Sequence, residues 1–223
     1  MSPQNLPARI AAVQERVARA AGAAGRSAQS VTLLAIGKAQ PVPLLGAAFG
    51  ESYLQEALAK IAALRERGLT WHFVGRVQAN KTRPIAEEFA WVHALDRLKV
   101  AERLAAQRPA HAPPLNVCLQ VNLAGEAAKG GVAPGELGPL AAAVAALPRL
   151  TLRGLMCIPP EETEPARQRA WFAQLRQLRD QLNAGGARLD TLSMGMSGDF
   201  EAAIAEGATI VRLGTALFGP RPP

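Results

Sequence analysis

A lysine at the end of an apolar run is the first residue of this sequence that could do chemistry. Residues 31–37 carry almost no polarity, and Lys38 follows them directly. A run that is apolar on both faces is typical of a strand covered on both sides in a parallel sheet or barrel. Lys38 would then lie at the rim where parallel α/β barrels carry their chemistry, and partial desolvation there favours an amine that attacks carbonyl groups. The alternative is a surface lysine that ends an ordinary strand.

Two segments near the C-terminus carry the residue types that bind an anion. Ser197 precedes a short predicted helix at 199–205, and Thr215 follows Gly214 directly after the last predicted strand. Hydroxyl groups and free backbone N–H groups at a helix N-terminus favour an anion, although Ser197 would also suit an N-cap. Because the loops after strands seven and eight of barrels often hold a phosphate, the two segments together predict a phosphate site.

Arg212 lies near the exit of the last predicted strand. An arginine that points into a barrel requires a partner, because a buried charge is otherwise costly. Its guanidinium would stay charged at any ordinary pH. The alternative is an outward-facing arginine that a helix covers.

The elements that position these residues alternate between strands and helices, which indicates a parallel α/β protein. Eight units predict a single (β/α)8 TIM-type barrel with an extra N-terminal helix, and a doubly wound open sheet is the alternative. No dinucleotide-binding or nucleotide-phosphate motif supports the open sheet. The predicted strands are 31–37, 49–51, 71–75, 91–95, 115–123, 152–158, 191–195 and 209–213. The predicted helices are 6–23, 54–67, 78–88, 98–107, 136–147, 166–183 and 199–205.

The connection between the first two strands is short. Ten residues separate Lys38 from Phe49, and two of them are proline. A parallel crossover normally takes a dozen or more residues including its helix. Either the helix has shrunk to a turn or the sequence lacks residues at this point.

Composition excludes several classes of protein. The chain has 223 residues and a formal charge of +7, but its basic residues are scattered and no basic run is interleaved with aromatics, so we expect no nucleic-acid partner. Cys118 and Cys157 lie in apolar runs, which favours reduced, buried thiols in a cytoplasmic protein over a disulfide framework or a metal site. Neither an apolar signal core nor a stretch of membrane-spanning length is present, so we expect no membrane partner.

The predicted lysine and phosphate site would be neighbours, because strand eight closes against strand one in such a barrel. A ligand that carries both an aldehyde and a phosphate would span them. Pyridoxal 5′-phosphate (PLP) is such a ligand, forms an imine with lysine and usually has a protein partner at its ring nitrogen, for which Arg212 is the candidate. A metabolic barrel that binds another sugar or triose phosphate is the alternative, and it predicts no imine.

Several segments resemble the pyridoxal-phosphate homeostasis protein family (YggS/PROSC type), which is related to the N-terminal barrel domain of alanine racemase. They are residues 34–38, 49–53, 71–75, 78–81, 153–156, 192–199 and 211–219, and the last two are the most specific. The resemblance implies one alanine-racemase-like, fold type III PLP-binding barrel domain over residues 1–223, with a Schiff base on Lys38. The other cofactor-binding residues that it implies are Ser52, His72, Ser193, Met194, Ser197, Arg212, Gly214 and Thr215.

The sequence departs from the family pattern at particular residues. Ser52 stands where the family usually has Asn, so a contact near the ring would be lost or replaced by water. Gly37 stands where the family usually has a polar residue. Lys129 aligns with a family lysine in a mobile loop, and we expect it to be a solvated loop lysine.

The resemblance implies a carrier that buffers PLP and hands it to apo forms of PLP-dependent enzymes. The alternative is a racemase-like enzyme. Racemisation needs a second acid/base group, which the racemases supply as a tyrosine from a separate C-terminal domain. The only tyrosine here, Tyr53, begins the second predicted helix, and the chain ends about ten residues after the last strand. We therefore expect a cytoplasmic, monomeric carrier with no catalytic residue.

Overall fold

Eight strands form one closed, all-parallel barrel in chain order, as the alternation predicted. The structure is a computed structural model that describes residues 6–37, 48–126 and 129–219. Parallel pairing of β8 with β1 closes the barrel. The strands are β1 Thr32–Ile36, β2 Ala48–Glu51, β3 Thr70–Phe73, β4 Trp91–Leu95, β5 Leu115–Gln120, β6 Leu150–Met156, β7 Thr191–Ser193 and β8 Ile210–Leu213.

Helices follow the strands on the outside of the barrel, after one helix at the N-terminus that has its predicted bounds. They are α1 Leu6–Ala23, α2 Leu54–Ala63, α3 Thr82–Glu88, α4 Leu98–Gln107, α5 Leu137–Ala145, α6 Pro165–Ala184, α7 Phe200–Ala205 and α8 Thr215–Phe218. None of the described helices is both long and apolar enough to cross a membrane.

Several predicted bounds were wrong by a turn. The predicted helix 54–67 divides into α2 and a 3-10 turn at Arg65–Arg67, which Gly68 ends in the left-handed region at φ 63°. The predicted helix 78–88 begins as a 3-10 turn at Ala79–Lys81. Helix α8 was not predicted, since four residues are too few to show a helical period.

The strands also end earlier than their apolar runs. β5 stops at Gln120, and the next residue, Val121, forms an isolated parallel bridge with Val132. β6 begins two residues before its predicted start, where Leu150 pairs with Leu115. Apolar character therefore continues into the buried loops at the carboxyl ends of the strands.

The barrel has a mostly apolar outer layer and a partly polar interior. Alternate residues of the strands pack against the helices in one large apolar cluster, which includes Val211 and Leu213. A small interior cluster joins Ala94, Cys118 and Met156. Cys118 and Cys157 are free and buried, as predicted, and burial raises the pKa of each thiol to about 12.

A polar cluster lies at the amino-terminal end of the barrel. Arg153 makes two parallel hydrogen bonds to Asp190, from Nε at 3.0 Å and from Nη2 at 2.7 Å. Its Nη1 donates to Asn116 Oδ1 at 3.1 Å, and its guanidinium lies 5.0 Å from the centre of the Trp91 ring. The polar side chains at this end therefore bind one another.

The short connection between Lys38 and Phe49 lies almost entirely outside the described residues. On its two sides the strands pair in parallel register, with Ala35 opposite Phe49. The two alternatives for this connection stay open.

Gly154 of β6 pairs with Thr191 of β7, and this pair gives a test of the fold. A Cβ on Gly154 would lie 1.8 Å from the main-chain oxygen of Thr191, which cannot swing aside. We expect Gly154→Ala to lower the free energy of unfolding by about 3 kcal/mol, measured by urea denaturation, because overpacking strains the ladder.

Gly138 supplies the matched control. A Cβ there meets nothing within 4 Å, and the residue lies in α5. Gly138→Ala should leave the stability unchanged or raise it by up to about 1 kcal/mol. Equal stability of the two variants would contradict the close packing of β6 on β7.

Candidate functional site

The carboxyl ends of β1 and β8 lie side by side. Leu34 pairs with Arg212 and Ala35 with Leu213. A Cβ on Gly214 would accordingly lie 3.7 Å from the Cβ of Ile36. Lys38 itself lies outside the described residues, so the direction of its side chain stays a prediction.

Ser197, Gly214 and Thr215 come together as the sequence predicted. The Ser197 hydroxyl accepts a hydrogen bond from the N–H of Ala216 at 3.1 Å. Ala216 belongs to the first turn of α8, which Thr215 begins. Because α7 begins only at Phe200, Ser197 does not cap that helix and instead joins the loop after β7 to α8.

The small residues of these loops leave room for a ligand. A Cβ on Gly214 would meet only Ile36, at ordinary van der Waals distance, and a Cβ on Gly198 would meet nothing within 4 Å. Protein packing therefore does not require glycine at either position. Open space beside main-chain N–H groups and hydroxyl groups is what a phosphate needs, so these residues fit the phosphate of PLP.

Arg212 points into the barrel, which makes the outward-facing alternative wrong. Its Nη1 donates to the main-chain oxygen of Ser193 at 2.6 Å and to Ser193 Oγ at 3.0 Å, and its Nη2 donates to the main-chain oxygen of Cys157 at 2.9 Å. Burial lowers the pKa of the guanidinium below its ordinary value, but an arginine stays charged at neutral pH. Nε takes part in none of these three hydrogen bonds.

A chain of buried hydrogen bonds continues from Arg212 across the barrel. Ser193 Oγ lies 2.7 Å from Nδ1 of His93, and Nε2 of His93 lies 2.9 Å from Nδ1 of His72. His72 stacks on Trp91, with ring centres 5.3 Å apart and an angle of 4° between the planes. This chain connects the predicted residues Arg212, Ser193 and His72 through one residue, His93, that was not predicted.

Both histidines of this chain are neutral. Burial lowers the pKa of His72 to about 3. Burial, His72 and the Arg212 charge lower the pKa of His93 well below its ordinary range. The arrangement of protons that satisfies each of these contacts then runs in one direction: Arg212 donates to Ser193, Ser193 to His93 and His93 to His72.

The remaining predicted residues lie in different surroundings. Ser52 is half-buried between β2 and α2, where its main-chain oxygen contacts Gly75. Met194 is wholly buried in the outer apolar cluster, so its side chain lies on the face of β7 opposite to Ser193. Lys129 donates to the main-chain oxygen of Pro159 at 3.0 Å and pairs with Glu126 at 2.9 Å, so it is held rather than solvated.

The sequence contained a signal for His93. His72 lies between Trp71 and Phe73, and His93 lies between Val92 and Ala94, each within a strand-like run. Alternation along neighbouring strands places both rings on the interior side of the barrel. Among the described residues, no three His, Cys, Asp or Glu side chains are grouped to hold a metal ion.

Comparison with known proteins first defines the class of this barrel. The family model of the alanine racemase N-terminal domain matches residues 10–222. The structure of alanine racemase from Corynebacterium glutamicum superposes with a TM-score of 0.66 at 19% identity, over 96% of this chain and 62% of that chain. This similarity shows the shared fold.

More similar proteins define the family. The pyridoxal phosphate homeostasis protein of Pseudomonas aeruginosa is 59% identical over 219 residues, which are 95% of this chain and 94% of that protein. That of Escherichia coli K12 is 48% identical over 222 residues, 95% of each chain. PipY of Synechococcus elongatus, solved with PLP bound, has a TM-score of 0.80 and 37% identity over 91% of this chain and all of that chain. The chain belongs to the pyridoxal phosphate homeostasis protein family, which confirms the resemblance of its motifs.

The buried histidine pair predicts a loss of stability in acid. His72 and His93 stay neutral in the folded chain, whereas histidines of an unfolded chain titrate near pH ~6.5. Below that pH the unfolded state binds protons that the folded state does not, so the free energy of unfolding falls as the pH falls. From pH 7.5 to 5.5 we expect a loss of about 1.4 kcal/mol for each histidine, measured by urea unfolding.

Two variants assign this pH dependence. His72→Gln should remove about half of the contribution of the pair. His111 is exposed, and His111→Asn should keep the wild-type dependence. Equal stability of the wild type at the two pH values would contradict the neutral buried pair.

Proposed function

We propose that this protein binds PLP reversibly as an imine on Lys38 and acts as a carrier in intracellular PLP homeostasis, without strong catalytic turnover. Its relatives at 59% and 48% identity are named pyridoxal phosphate homeostasis proteins, and PipY was solved with PLP bound. The observation that carries the proposal is the contact of Ser197 with α8 beside Gly214 and the end of β1. It supports a phosphate site adjacent to the strand that leads to Lys38.

Each group of residues has a separate task in this proposal. Bound PLP supplies an aldehyde that an amine can trap and a ring that can withdraw electrons. Ser197, Gly214 and Thr215 would hold the phosphate. Arg212, fixed by Ser193 and Cys157, would present a permanent positive charge to the ring nitrogen and keep that nitrogen unprotonated, which makes the ring a weak electron acceptor.

The other proposed contacts follow from the same site. Ser193 and His72 would support Arg212 through the buried chain. Met194 would contribute through its main chain, since its side chain lies in the outer apolar cluster. Ser52 would lie at the mouth of the barrel.

The titratable groups of the interior support a carrier rather than a racemase. A racemase needs a second acid/base group that titrates near the working pH. Burial lowers the pKa of His72 to about 3 and raises that of Cys118 and Cys157 to about 12, so none of these groups exchanges protons readily at neutral pH. Tyr53 is 51% exposed at the start of α2.

The carrier would be one cytoplasmic, monomeric barrel domain over residues 1–223, and its proposed recipients are apo forms of PLP-dependent enzymes. We propose no nucleic-acid or membrane partner, because the basic residues are scattered along the sequence.

An absorption spectrum tests the proposal. Wild-type protein mixed with PLP should turn yellow, and Lys38→Ala should abolish the band, since alanine has no amine to form the imine. Lys99→Ala, which removes an exposed amine from α4, should keep the band. After reduction with borohydride, peptide mapping should find the cofactor on Lys38. A wild-type protein that stays colourless would overturn the proposal.

The same loaded protein separates a carrier from an enzyme. It should not racemise or otherwise convert amino acids at a rate above that of free PLP, measured by chiral chromatography. Robust turnover that Lys38→Ala abolishes would favour the racemase-like alternative.

The phosphate site predicts a loss of affinity. Ser197→Ala with Thr215→Ala should weaken PLP binding by about 3 kcal/mol, which is about a hundredfold in Kd, because each charge-assisted hydrogen bond contributes about 1.5–3 kcal/mol. Fluorescence titration with PLP would measure the Kd of the wild type and of the double variant.

The opposite end of the barrel supplies the control. Ser30→Ala with Thr32→Ala likewise removes one serine and one threonine hydroxyl group, from exposed positions before and within β1. This control should leave the affinity for PLP unchanged. Pyridoxal, which has no phosphate, should bind both double variants alike. Retention of full PLP affinity by the Ser197/Thr215 double variant would contradict the assignment of the phosphate site.

A further inference from the structure

A buried ion pair lies next to the end of β1, and neither member has a task in the proposed site. Glu51 is the last residue of β2 and is wholly buried. Its Oε1 accepts a hydrogen bond from Lys60 Nζ at 2.8 Å, whereas its Oε2 has no partner among the described residues. Lys60 lies in the last turn of α2, and its side chain is only 17% exposed.

The same ammonium group contacts the main chain that leads out of β1. Lys60 Nζ donates to the carbonyl oxygen of Gly37 at 2.5 Å. The N–H of Gly37 donates to the carbonyl oxygen of Gly50 at 3.2 Å. Both the N–H and the carbonyl group of Gly37 are therefore hydrogen-bonded. The carbonyl group that accepts from Lys60 belongs to the peptide bond with residue 38.

Close packing ties these residues together. A Cβ on Gly37 would lie 2.6 Å from Oε1 of Glu51 and 3.5 Å from Nζ of Lys60. Such a Cβ would displace the Glu51 carboxylate oxygen that binds Lys60. Glycine at position 37 is thus what lets the ion pair reach the peptide.

Stability alone does not explain a pair of this kind. Taking both charges out of water costs free energy, and well-packed neutral residues often replace a buried ion pair without loss of stability. Burial raises the pKa of Glu51, and the hydrogen bond from Lys60 opposes that shift. The pair therefore has a cost, and its contact with the Gly37 carbonyl offers a reason for it.

We infer that Lys60, held by Glu51, is a positioning residue that fixes the Gly37–Lys38 peptide and so sets the direction in which the cofactor-binding lysine leaves β1. The inference rests on the proposed function, because it takes Lys38 as the residue that binds PLP. Lys60 itself touches no cofactor in this account and acts through the main chain.

Two variants isolate the contact. Glu51→Gln removes the negative charge but keeps an oxygen that accepts from Lys60, so the Lys60 bond to Gly37 survives. Glu51→Gln with Lys60→Met removes that bond without leaving an unpaired buried charge. We expect the double variant to lose bound PLP about tenfold faster, the effect of one charge-assisted hydrogen bond, and the single variant to stay within about twofold of wild type.

The spectrum of the bound cofactor gives a readout that a merely structural role would not move. The midpoint of the pH titration of its absorption band should shift in the double variant and stay in place in Glu51→Gln. Arg65→Met with Glu88→Gln makes the same change of charge at a more exposed ion pair, in which Arg65 Nη2 lies 3.2 Å from Glu88 Oε2. This control should keep the wild-type rate of PLP loss and the wild-type midpoint.

The outcomes separate the inference from the proposed function. Wild-type protein that binds no PLP would overturn both. Wild-type protein that binds PLP, with an unchanged rate and midpoint in the double variant, would overturn the inference alone, whether or not the melting temperature falls. If the double variant does not fold, Gly37→Ala replaces it, because this variant displaces the Glu51 carboxylate and keeps every charge. It should speed the loss of PLP about tenfold. An unchanged rate of PLP loss would overturn the inference.

Discussion

The buried guanidinium of Arg212 is the constraint on which the interior of this barrel depends. A charge at this depth must be met by hydrogen-bond acceptors, and the structure supplies two main-chain oxygens and the Ser193 hydroxyl. Ser193 in turn needs a partner, which is His93, and His93 needs His72. One cation thus accounts for a polar layer in a place that barrels usually fill with branched apolar side chains.

Closure of the sheet is what turns distant segments of the chain into one site. β1 and β8 are separated by most of the sequence, yet Leu34 pairs with Arg212. The loop after β7 reaches the same place because Ser197 contacts α8. The proposed amine, phosphate site and ring partner therefore come from the two ends of the chain, and they would be adjacent only when all eight strands are in register.

The sequence predicted those parts that show a strong local period or an unusual residue at a strand end. Helix α1 has its predicted bounds, and Ser197, Gly214 and Thr215 come together as expected. His93 and the contact of Lys60 with Gly37 were missed, because each depends on a partner from another strand or helix. Such pairings follow from strand register and helix packing, which no single run of residues reveals.

The polar amino-terminal end has a consequence for how a carrier of the proposed kind would exchange its cofactor. Arg153, Asp190 and Asn116 occupy that end, and the Trp91 ring lies between Arg153 and His72. These side chains separate the amino-terminal end from the buried histidines, so loading and unloading of the cofactor would both take place at the carboxyl end of the barrel. A recipient enzyme would have to wait for release of the cofactor or dock over the carboxyl end of the barrel, so delivery and refilling would alternate in time.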